Sequence, residues 1–209
     1  MGKKKVEHVV FDGMRKIKKK VNINQYNTQT ENRIVKQANK LNVQKHPFPP
    51  LYDENSKVLI LGSFPSVKSR EMMFFYGHTQ NRFWKVIASV FDEKIPNSIE
   101  DKKRLILDNH LALWDVIAEC EIAGSSDASI KNARANDLSE ILNNAPIQKI
   151  IVNGKTAERL YIKYIEPMTG MKAVVLPSTS PANAAWSLER LIDAWEPELK
   201  NDICEEKAT

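Results

Sequence analysis

The 209-residue chain has few of the residues that build cross-linked or metal-bound folds. Its two cysteines, Cys120 and Cys204, lie far apart, and its four histidines are scattered. This set does not suggest a disulfide framework, a zinc site or an iron–sulfur cluster, so we expect no metal and no cofactor. The chain also lacks an apolar run long enough for a bilayer and a secretory signal pattern. We therefore expect an intracellular protein with reduced thiols, located in the cytoplasm and nucleoid or in the nucleus, with no membrane partner.

The seven glycines form neither a Walker pattern nor a dinucleotide-binding pattern, which disfavours a nucleotide-metabolising α/β enzyme.

The charged residues are unevenly distributed along the chain. Residues 1–46 contain twelve Lys or Arg and three Asp or Glu, whereas the remaining residues contain 19 Lys or Arg and 23 Asp or Glu. Together they give the net charge of +5. A basic arm on a mildly acidic domain suits a polyanionic partner, with nucleic acid the first choice, although such arms are often only solvated tails.

The sequence divides into three segments. Residues 1–45 form a basic N-terminal extension, partly disordered or helical, with a candidate helix over residues 30–41. Residues 46–200 form the predicted α/β domain, and residues 201–209 a tail. Prolines make residues 45–50 an extended linker at the start of the domain.

Apolar runs that end at turn residues predict parallel strands at residues 57–61, 111–116, 148–153 and 172–177. Helices are expected between them, including residues 81–91, 98–109 and 155–165. Asn136 is expected to cap a helix ending near residue 144, and Ser180 to cap the last helix, with Pro181 at its first position. This alternation predicts a three-layer α/β/α fold with a short, mainly four-stranded parallel sheet.

The polar residues of interest lie at the ends of these strands or directly after them. They are residues 62–66, Asp115, Asn153 with Gly154, and residues 178–183. Because the carboxyl ends of parallel strands meet at one edge of a sheet, we expect these four points to form a single site.

Two motifs carry a family resemblance. GSFPS at residues 62–66, followed by YGHTQNRFW at residues 76–84, resembles the uracil-DNA glycosylase superfamily, and STSPANA at residues 178–184 resembles its second motif. The resemblance spans roughly residues 46 to 197 and is strongest to the hypoxanthine-DNA (deoxyinosine) glycosylase branch, related to the mismatch-specific uracil and thymine glycosylases. It implies a monofunctional DNA glycosylase that acts on DNA containing a deaminated base, as a monomer, in base excision repair.

The first motif departs from the mismatch-specific pattern, because Phe64 stands where those relatives carry a water-positioning Asn. In the hypoxanthine branch an Asn in the NRFW segment takes that role, and the resemblance places it at Asn81. Asn81 is then the candidate catalytic residue, although Asn is also a favoured helix cap. The departure leaves open uracil or thymine mismatch activity, or an inactive relative that only binds nucleic acid.

Base binding is assigned to six residues that combine edge-reading groups with stacking aromatics: Gly62, Ser63, Phe64, Phe83, Asp115 and Asn153. Phe83 matches the base-stacking aromatic of the superfamily but is also compatible with a core position. Asp115 can accept from a purine N–H edge, or donate if protonated, or serve only as a strand-end cap. DNA binding is assigned to Ser66, Lys68, Ser178, Ser180, Pro181 and Asn183, of which the last four resemble the loop that presses into DNA.

Overall fold

Four parallel strands form the central sheet of the computed structural model, which describes residues 42–200. The sheet contains Val58–Gly62 (β2), Leu111–Asp115 (β3), Lys149–Asn153 (β6) and Ala173–Leu176 (β7). Its strand order is β3-β2-β6-β7. Every residue of β2 and β3 is buried, as expected of parallel strands covered on both faces. All four predicted strands are confirmed within one or two residues at each end.

Helices flank this sheet and complete the three-layer α/β/α arrangement. They are Val67–Met72 (α1), Phe83–Val90 (α2), Ile99–Leu107 (α3), Ser139–Asn144 (α4), Lys155–Tyr164 (α5), Glu166–Thr169 (α6) and Leu188–Lys200 (α7). The predicted cap of α3 is present as a capping box, in which Ser98 and Asp101 each bond the other's backbone N–H. Helix α7 buries Leu191, Trp195 and Leu199, and the Trp195 ring meets the Phe83 ring of α2 edge to face.

A second sheet was not foreseen. Asn42–Lys45 (β1), Ile117–Ile122 (β4) and Lys131–Ala135 (β5) form an antiparallel sheet in the order β1-β4-β5. The pairing of β4 with β5 is interrupted by two register shifts, and β5 has no buried residue. Bulges and polar edge strands remove the regular alternation by which a strand is recognised in sequence.

Two predicted helix starts are wrong. Asn136 does not cap α4, because its Nδ2 donates to the Asp115 carbonyl 2.8 Å away, while Asp137 accepts from the Ser139 N–H. Helix α7 begins at Leu188 rather than beside Ser180 and Pro181, and the intervening residues form successive turns. Arg82 explains the second error, since it binds carbonyls of this segment that a helix would use internally. The candidate helix over residues 30–41 lies outside the described residues.

Candidate functional site

A cleft of about 300 Å³ opens at the carboxyl edge of the parallel sheet. Its walls come from the last residues of β2, β3 and β6, the loops after β2 and β7, the loop before α2, the connection between β4 and β5, and Phe48 after β1. The four predicted loop tips therefore meet, as the parallel topology requires.

Most of the residues predicted for the site line this cleft. They are Gly62, Ser63, Phe64, Ser66, Asn81, Asp115, Asn153, Ser178, Ser180 and Pro181. Three others do not. Phe83 is fully buried, Lys68 is exposed and paired with Glu71 at 2.7 Å, and Asn183 lines an adjoining groove of about 700 Å³.

Asn81 combines a capping contact with a place in the cleft wall. Its Oδ1 accepts a hydrogen bond from the Phe83 N–H at 3.0 Å, and its own N–H donates to the His78 carbonyl at 2.8 Å. These bonds hold the amide at the start of α2. Among the described residues no hydrogen bond is formed by its Nδ2, which therefore remains available as a donor.

Phe83 supports the cleft instead of lining it. Its ring stacks on the Tyr76 ring with centroids 3.7 Å apart and an interplanar angle of 17°. Tyr76 does line the cleft, and its backbone has a positive φ of 50°, an uncommon conformation for a residue other than glycine. The stack and the turn together fix where the Tyr76 hydroxyl lies.

That hydroxyl is buried and donates to no acceptor among the described residues. Burial is the main cause that raises the pKa of Tyr76 far above its usual value, and the Asp115 charge acts in the same direction, while a hydrogen bond from the Asn153 side chain lowers this pKa. The phenol is therefore protonated at neutral pH and is a hydrogen-bond donor without an acceptor.

Asp115 is held by His46, a residue that the sequence assigned only to the linker. His46 Nε2 lies 2.9 Å from Asp115 Oδ2, and both side chains are at most 9% exposed. On the other side of the ring, His46 Nδ1 lies 2.8 Å from the Phe48 carbonyl. Because a carbonyl only accepts, Nδ1 carries a hydrogen, and the remaining proton of the pair lies between Nε2 and Oδ2.

The second carboxylate oxygen of Asp115 lies over Gly62. A Cβ atom added at Gly62 would be 2.2 Å from Asp115 Oδ1 and 3.7 Å from the Tyr76 hydroxyl oxygen. Only a residue without a side chain leaves room for the carboxylate at this point. Gly62 thus allows Asp115 Oδ1 and the Tyr76 hydroxyl to approach the same part of the cleft floor.

A second acid in the cleft, Asp127, was missed by the sequence analysis. It belongs to a 3₁₀ turn, Asp127–Ser129, between β4 and β5, and its Oδ2 accepts from the Ser63 hydroxyl at 2.7 Å. Burial is the largest influence and raises the pKa of Asp127. The Ser63 hydrogen bond lowers this pKa, and the Asp115 charge raises it.

The loop after β7 is tied to the rest of the site by two side chains. Asn153 donates from Nδ2 to the Thr179 hydroxyl and accepts from the Thr179 N–H. Arg82 donates to loop carbonyls, namely those of Thr179, Ser180, Asn183 and Trp186. Both residues position the loop, and Arg82 has little donor capacity left for DNA.

The contacts missed from sequence link distant positions. His46 and Asp115 are 69 residues apart, and Ser63 and Asp127 are 64 residues apart. A single histidine beside prolines and a single aspartate among serines carry no local signal. Only the second sheet, which brings β1 and the β4–β5 connection to the cleft, reveals them.

Within residues 42–200 no group of three or more His, Cys, Asp or Glu side chains could hold a metal ion. The same residues include no helix of the length and apolarity that a bilayer span demands. Cys120 is buried, and burial raises the pKa of its thiol to about 11, so the described cysteine is an unreactive thiol at neutral pH.

Comparison with known proteins agrees with this geometry. Residues 49–200 match the family model described as the uracil DNA glycosylase superfamily. The chain is 34% identical over 154 residues to a hypoxanthine DNA glycosylase of Methanosarcina acetivorans, covering 73% of this chain and 96% of the relative. It is also 34% identical over 161 residues to a hypoxanthine DNA glycosylase of Methanosarcina barkeri, covering 76% and 99%.

The fold is shared with a solved structure. The solution NMR structure of a protein from Methanosarcina acetivorans, provisionally assigned as a uracil DNA glycosylase, has a TM-score of 0.65 and 32% identity, and the match covers 76% of this chain and 98% of that one. With the family model spanning most of the chain and the relatives matched over nearly their whole length, the chain belongs to the uracil DNA glycosylase superfamily.

Proposed function

We propose that the chain is a monofunctional DNA glycosylase that hydrolyses the N-glycosidic bond of a deaminated base, hypoxanthine in deoxyinosine, in base excision repair. The observation that carries the proposal is the meeting of Asn81, Asp115 and Tyr76 in one cleft at the carboxyl edge of the sheet. The names of the two Methanosarcina relatives support hypoxanthine as the base.

The cleft suits an extruded base. An enzyme that acts on a base within a duplex must take it out of the stack and hold it between apolar faces and edge-reading groups. Phe64 and Phe48 supply apolar surface, and Asp115 supplies a polar group at the floor. The Phe64 ring is fixed by packing, since it is 6% exposed and lies edge-on to the His46 ring.

The charge of the cleft suits the reaction. Glycosidic cleavage passes through an oxocarbenium-like sugar, which negative groups nearby stabilise. Asp115 and Asp127 both line the cleft, so the developing positive charge forms beside two carboxyl groups. The chemistry requires no metal, because the base leaves with the bonding electrons and water supplies the new oxygen.

Asn81 is the residue proposed to place that water. Its amide is fixed through Oδ1 by the Phe83 N–H, and the Nδ2 donors remain available to hold a water in the cleft. An amide is not a base, so its contribution is positioning, which is worth orders of magnitude when the reacting atoms are held at the right distance.

Single-turnover excision tests the proposal. Oligonucleotides containing deoxyinosine, deoxyuridine, deoxyxanthosine or a G·T mismatch are incubated with excess enzyme in EDTA, and alkali-labile sites are measured. We expect the fastest release from deoxyinosine. Faster release from deoxyuridine or the mismatch would instead indicate a uracil or thymine enzyme. Binding without release from any substrate would indicate an inactive DNA-binding relative.

The role of Asn81 is tested with Asn81→Ser, which keeps a capping oxygen for α2 but removes the amide donors. We expect the single-turnover rate to fall about 100-fold, with DNA affinity retained. Gln80→Ala is the matched control, because Gln80 is exposed in the same turn. An unchanged rate in Asn81→Ser would show that another group positions the water.

A further inference from the structure

The Tyr76 hydroxyl and the Asp115 Oδ1 atom form an unpaired donor and acceptor on the cleft floor. Both approach the position that a Cβ of Gly62 would occupy, which places them no more than about 6 Å apart. Neither is satisfied by the protein. The Asn153 side chain acts on the Tyr76 oxygen only as a donor and leaves the O–H without an acceptor among the described residues, and the His46 contact involves the other carboxylate oxygen, Oδ2. A buried hydroxyl left unpaired normally costs free energy, so a ligand atom is expected to complete it.

His46 fixes the acceptor character of Oδ1. The Nδ1–H donates to the Phe48 carbonyl, so the proton shared by the pair lies on the Nε2···Oδ2 side. If the pair is imidazolium and carboxylate, Oδ1 is an anionic acceptor; if it is imidazole and carboxylic acid, Oδ1 is the carbonyl oxygen. In both arrangements Oδ1 carries no hydrogen and can only accept.

We propose that Asp115 Oδ1 and the Tyr76 hydroxyl read the lactam edge of the extruded base, with His46 as the positioning residue that holds Asp115. This deepens the proposed function and rests on it. A lactam presents an N–H beside a C=O, as hypoxanthine does at N1 and O6. The N–H donates to Asp115 Oδ1, and the Tyr76 hydroxyl donates to the carbonyl oxygen.

The same pair rejects undamaged adenine and cytosine. Their corresponding edges place an amino donor where the lactam has its carbonyl, and a ring-nitrogen acceptor where it has its N–H. The Tyr76 hydroxyl would then face an amino donor, and Asp115 Oδ1 would face a ring-nitrogen acceptor. Because both protein groups are buried, they could not form hydrogen bonds with water instead. Deamination converts this amidine edge into a lactam, so the pair separates a deaminated base from adenine and cytosine, whereas guanine and thymine carry the same lactam and must be rejected by other contacts. A site that hydrogen-bonds its ligand discriminates strongly against an analogue lacking the matching groups.

The test measures binding, so that it does not depend on cleavage. Duplexes carry 2′-fluoro-2′-deoxyinosine, or the 2′-fluoro nucleoside of unsubstituted purine, which lacks both N1–H and O6. The fluorine slows hydrolysis by destabilising the oxocarbenium-like state. Wild type is expected to bind the inosine duplex about tenfold or more tightly than the purine duplex. Tyr76→Phe keeps the stack on Phe83 and should reduce this ratio to near one third of its wild-type value or less.

Two further variants address His46. His46→Ala removes the partner of Asp115 Oδ2 and should abolish the preference, whereas His46→Gln can still donate to Oδ2 and should restore a large part of it. Tyr161→Phe is the control, because Tyr161 is also buried but its hydroxyl donates to the Met171 carbonyl away from the cleft. Thermal unfolding of every variant reports whether a loss of preference accompanies a loss of fold.

The outcomes separate the two proposals. A wild-type preference that survives in Tyr76→Phe, or the absence of any preference in wild type, overturns the lactam-reading pair even where deoxyinosine is excised. A wild-type preference that is lost in Tyr76→Phe supports the pair even where excision of deoxyinosine fails, in which case only the proposed reaction is overturned. Equal behaviour of His46→Gln and His46→Ala, both folded, overturns the positioning role of His46.

Discussion

The Asn153 side chain forms two hydrogen bonds with Thr179, donating to its hydroxyl at 2.9 Å and accepting from its backbone N–H at 3.0 Å. Asn153 ends β6, and Thr179 is fully buried in the loop that follows β7. The second motif is therefore anchored to the sheet by an amide that engages both its oxygen and its nitrogen. This contact gives Asn153 a structural role in addition to its place in the cleft wall.

Arg82 anchors the same loop from the opposite side, by donating to carbonyls of four of its residues. Replacing it with lysine keeps the charge but leaves one ammonium in place of a planar fork. We expect Arg82→Lys to lose about 2 kcal/mol or more of unfolding free energy and to slow single-turnover excision about tenfold. Denaturant unfolding and the excision assay measure the two effects.

Lys85→Ala is the control for Arg82, because it removes an exposed positive charge three residues later on α2. Its unfolding free energy should stay close to that of wild type. If Arg82→Lys were as stable and as active as Lys85→Ala, the loop would be held by Asn153 and local turns alone.

Gly62 is required by the carboxylate that lies above it. In Gly62→Ala the new Cβ would be 2.2 Å from Asp115 Oδ1, a distance that no relaxed structure tolerates, so Asp115 must move away from the cleft floor. We expect single-turnover excision to fall about 100-fold or more, since displacements of about 1 Å in a positioned group have effects of this size.

Gly170→Ala separates this clash from a general cost of removing glycine. Gly170 ends α6 with a φ of 66°, and nothing lies within 4 Å of an added Cβ. The variant should lose about 1 kcal/mol of stability through backbone strain and keep wild-type excision. Normal excision in Gly62→Ala would mean that Asp115 does not contribute to the site.

The sequence predicted the parts of the site that depend on local order along the chain. Each apolar run ending in a polar residue became a parallel strand, and the ends of these strands meet because parallel strands share an edge. The partners of those residues were not predictable. His46 reaches Asp115 through an irregular antiparallel sheet, and Phe83 occupies the core while the neighbouring Tyr76 takes the position in the cleft. Such choices are made by packing between distant segments, which one sequence does not display.

Asp127 should make stability depend on pH. Burial raises the pKa of this carboxyl above its usual value of 3.8, so the folded chain keeps a proton that the unfolded chain has already released. Between those two values the native state binds more protons, and the unfolding free energy therefore falls as the pH rises. Asp127→Asn keeps an acceptor for the Ser63 hydroxyl and removes the ionisation. It should be more stable than wild type at neutral pH, and this difference should shrink as the pH falls towards 3.8.

Asp137 provides a control of opposite sign. Its hydrogen bonds with the Ser139 backbone and side chain lower the pKa of its carboxyl, so the ionised form stabilises the fold above the unfolded value and this stabilisation is lost as the pH falls. Asp137→Asn should accordingly be less stable than wild type at neutral pH, with the difference closing in acid. Chemical unfolding from pH 3 to 8 compares both variants, and a constant advantage of Asp127→Asn across this range would contradict the assignment.

The basic N-terminal extension, residues 1–45, remains a predicted DNA contact. The structure shows which of its residues can be deleted without disturbing the cleft. Strand Asn42–Lys45 pairs with β4 and leads directly into His46, so a truncation at residue 44 would disturb Asp115 as well as remove charge. Residues 1–40 contain eleven Lys or Arg against three acids, so deleting them removes most of the arm's charge and leaves this strand intact.

We expect the variant that lacks residues 1–40 to bind undamaged duplex more weakly and with a shallower dependence of affinity on salt, because fewer counterions are released. The single-turnover rate at saturating enzyme should be unchanged.

An untruncated variant with the lysines and arginines of residues 3–5 and 15–20 replaced by glutamine should reproduce most of the loss of DNA affinity, because the effect arises from charge. Equal salt slopes for wild type and both variants would show that the arm does not contact the phosphates, and a lower single-turnover rate in the truncation alone would show that it supports the cleft.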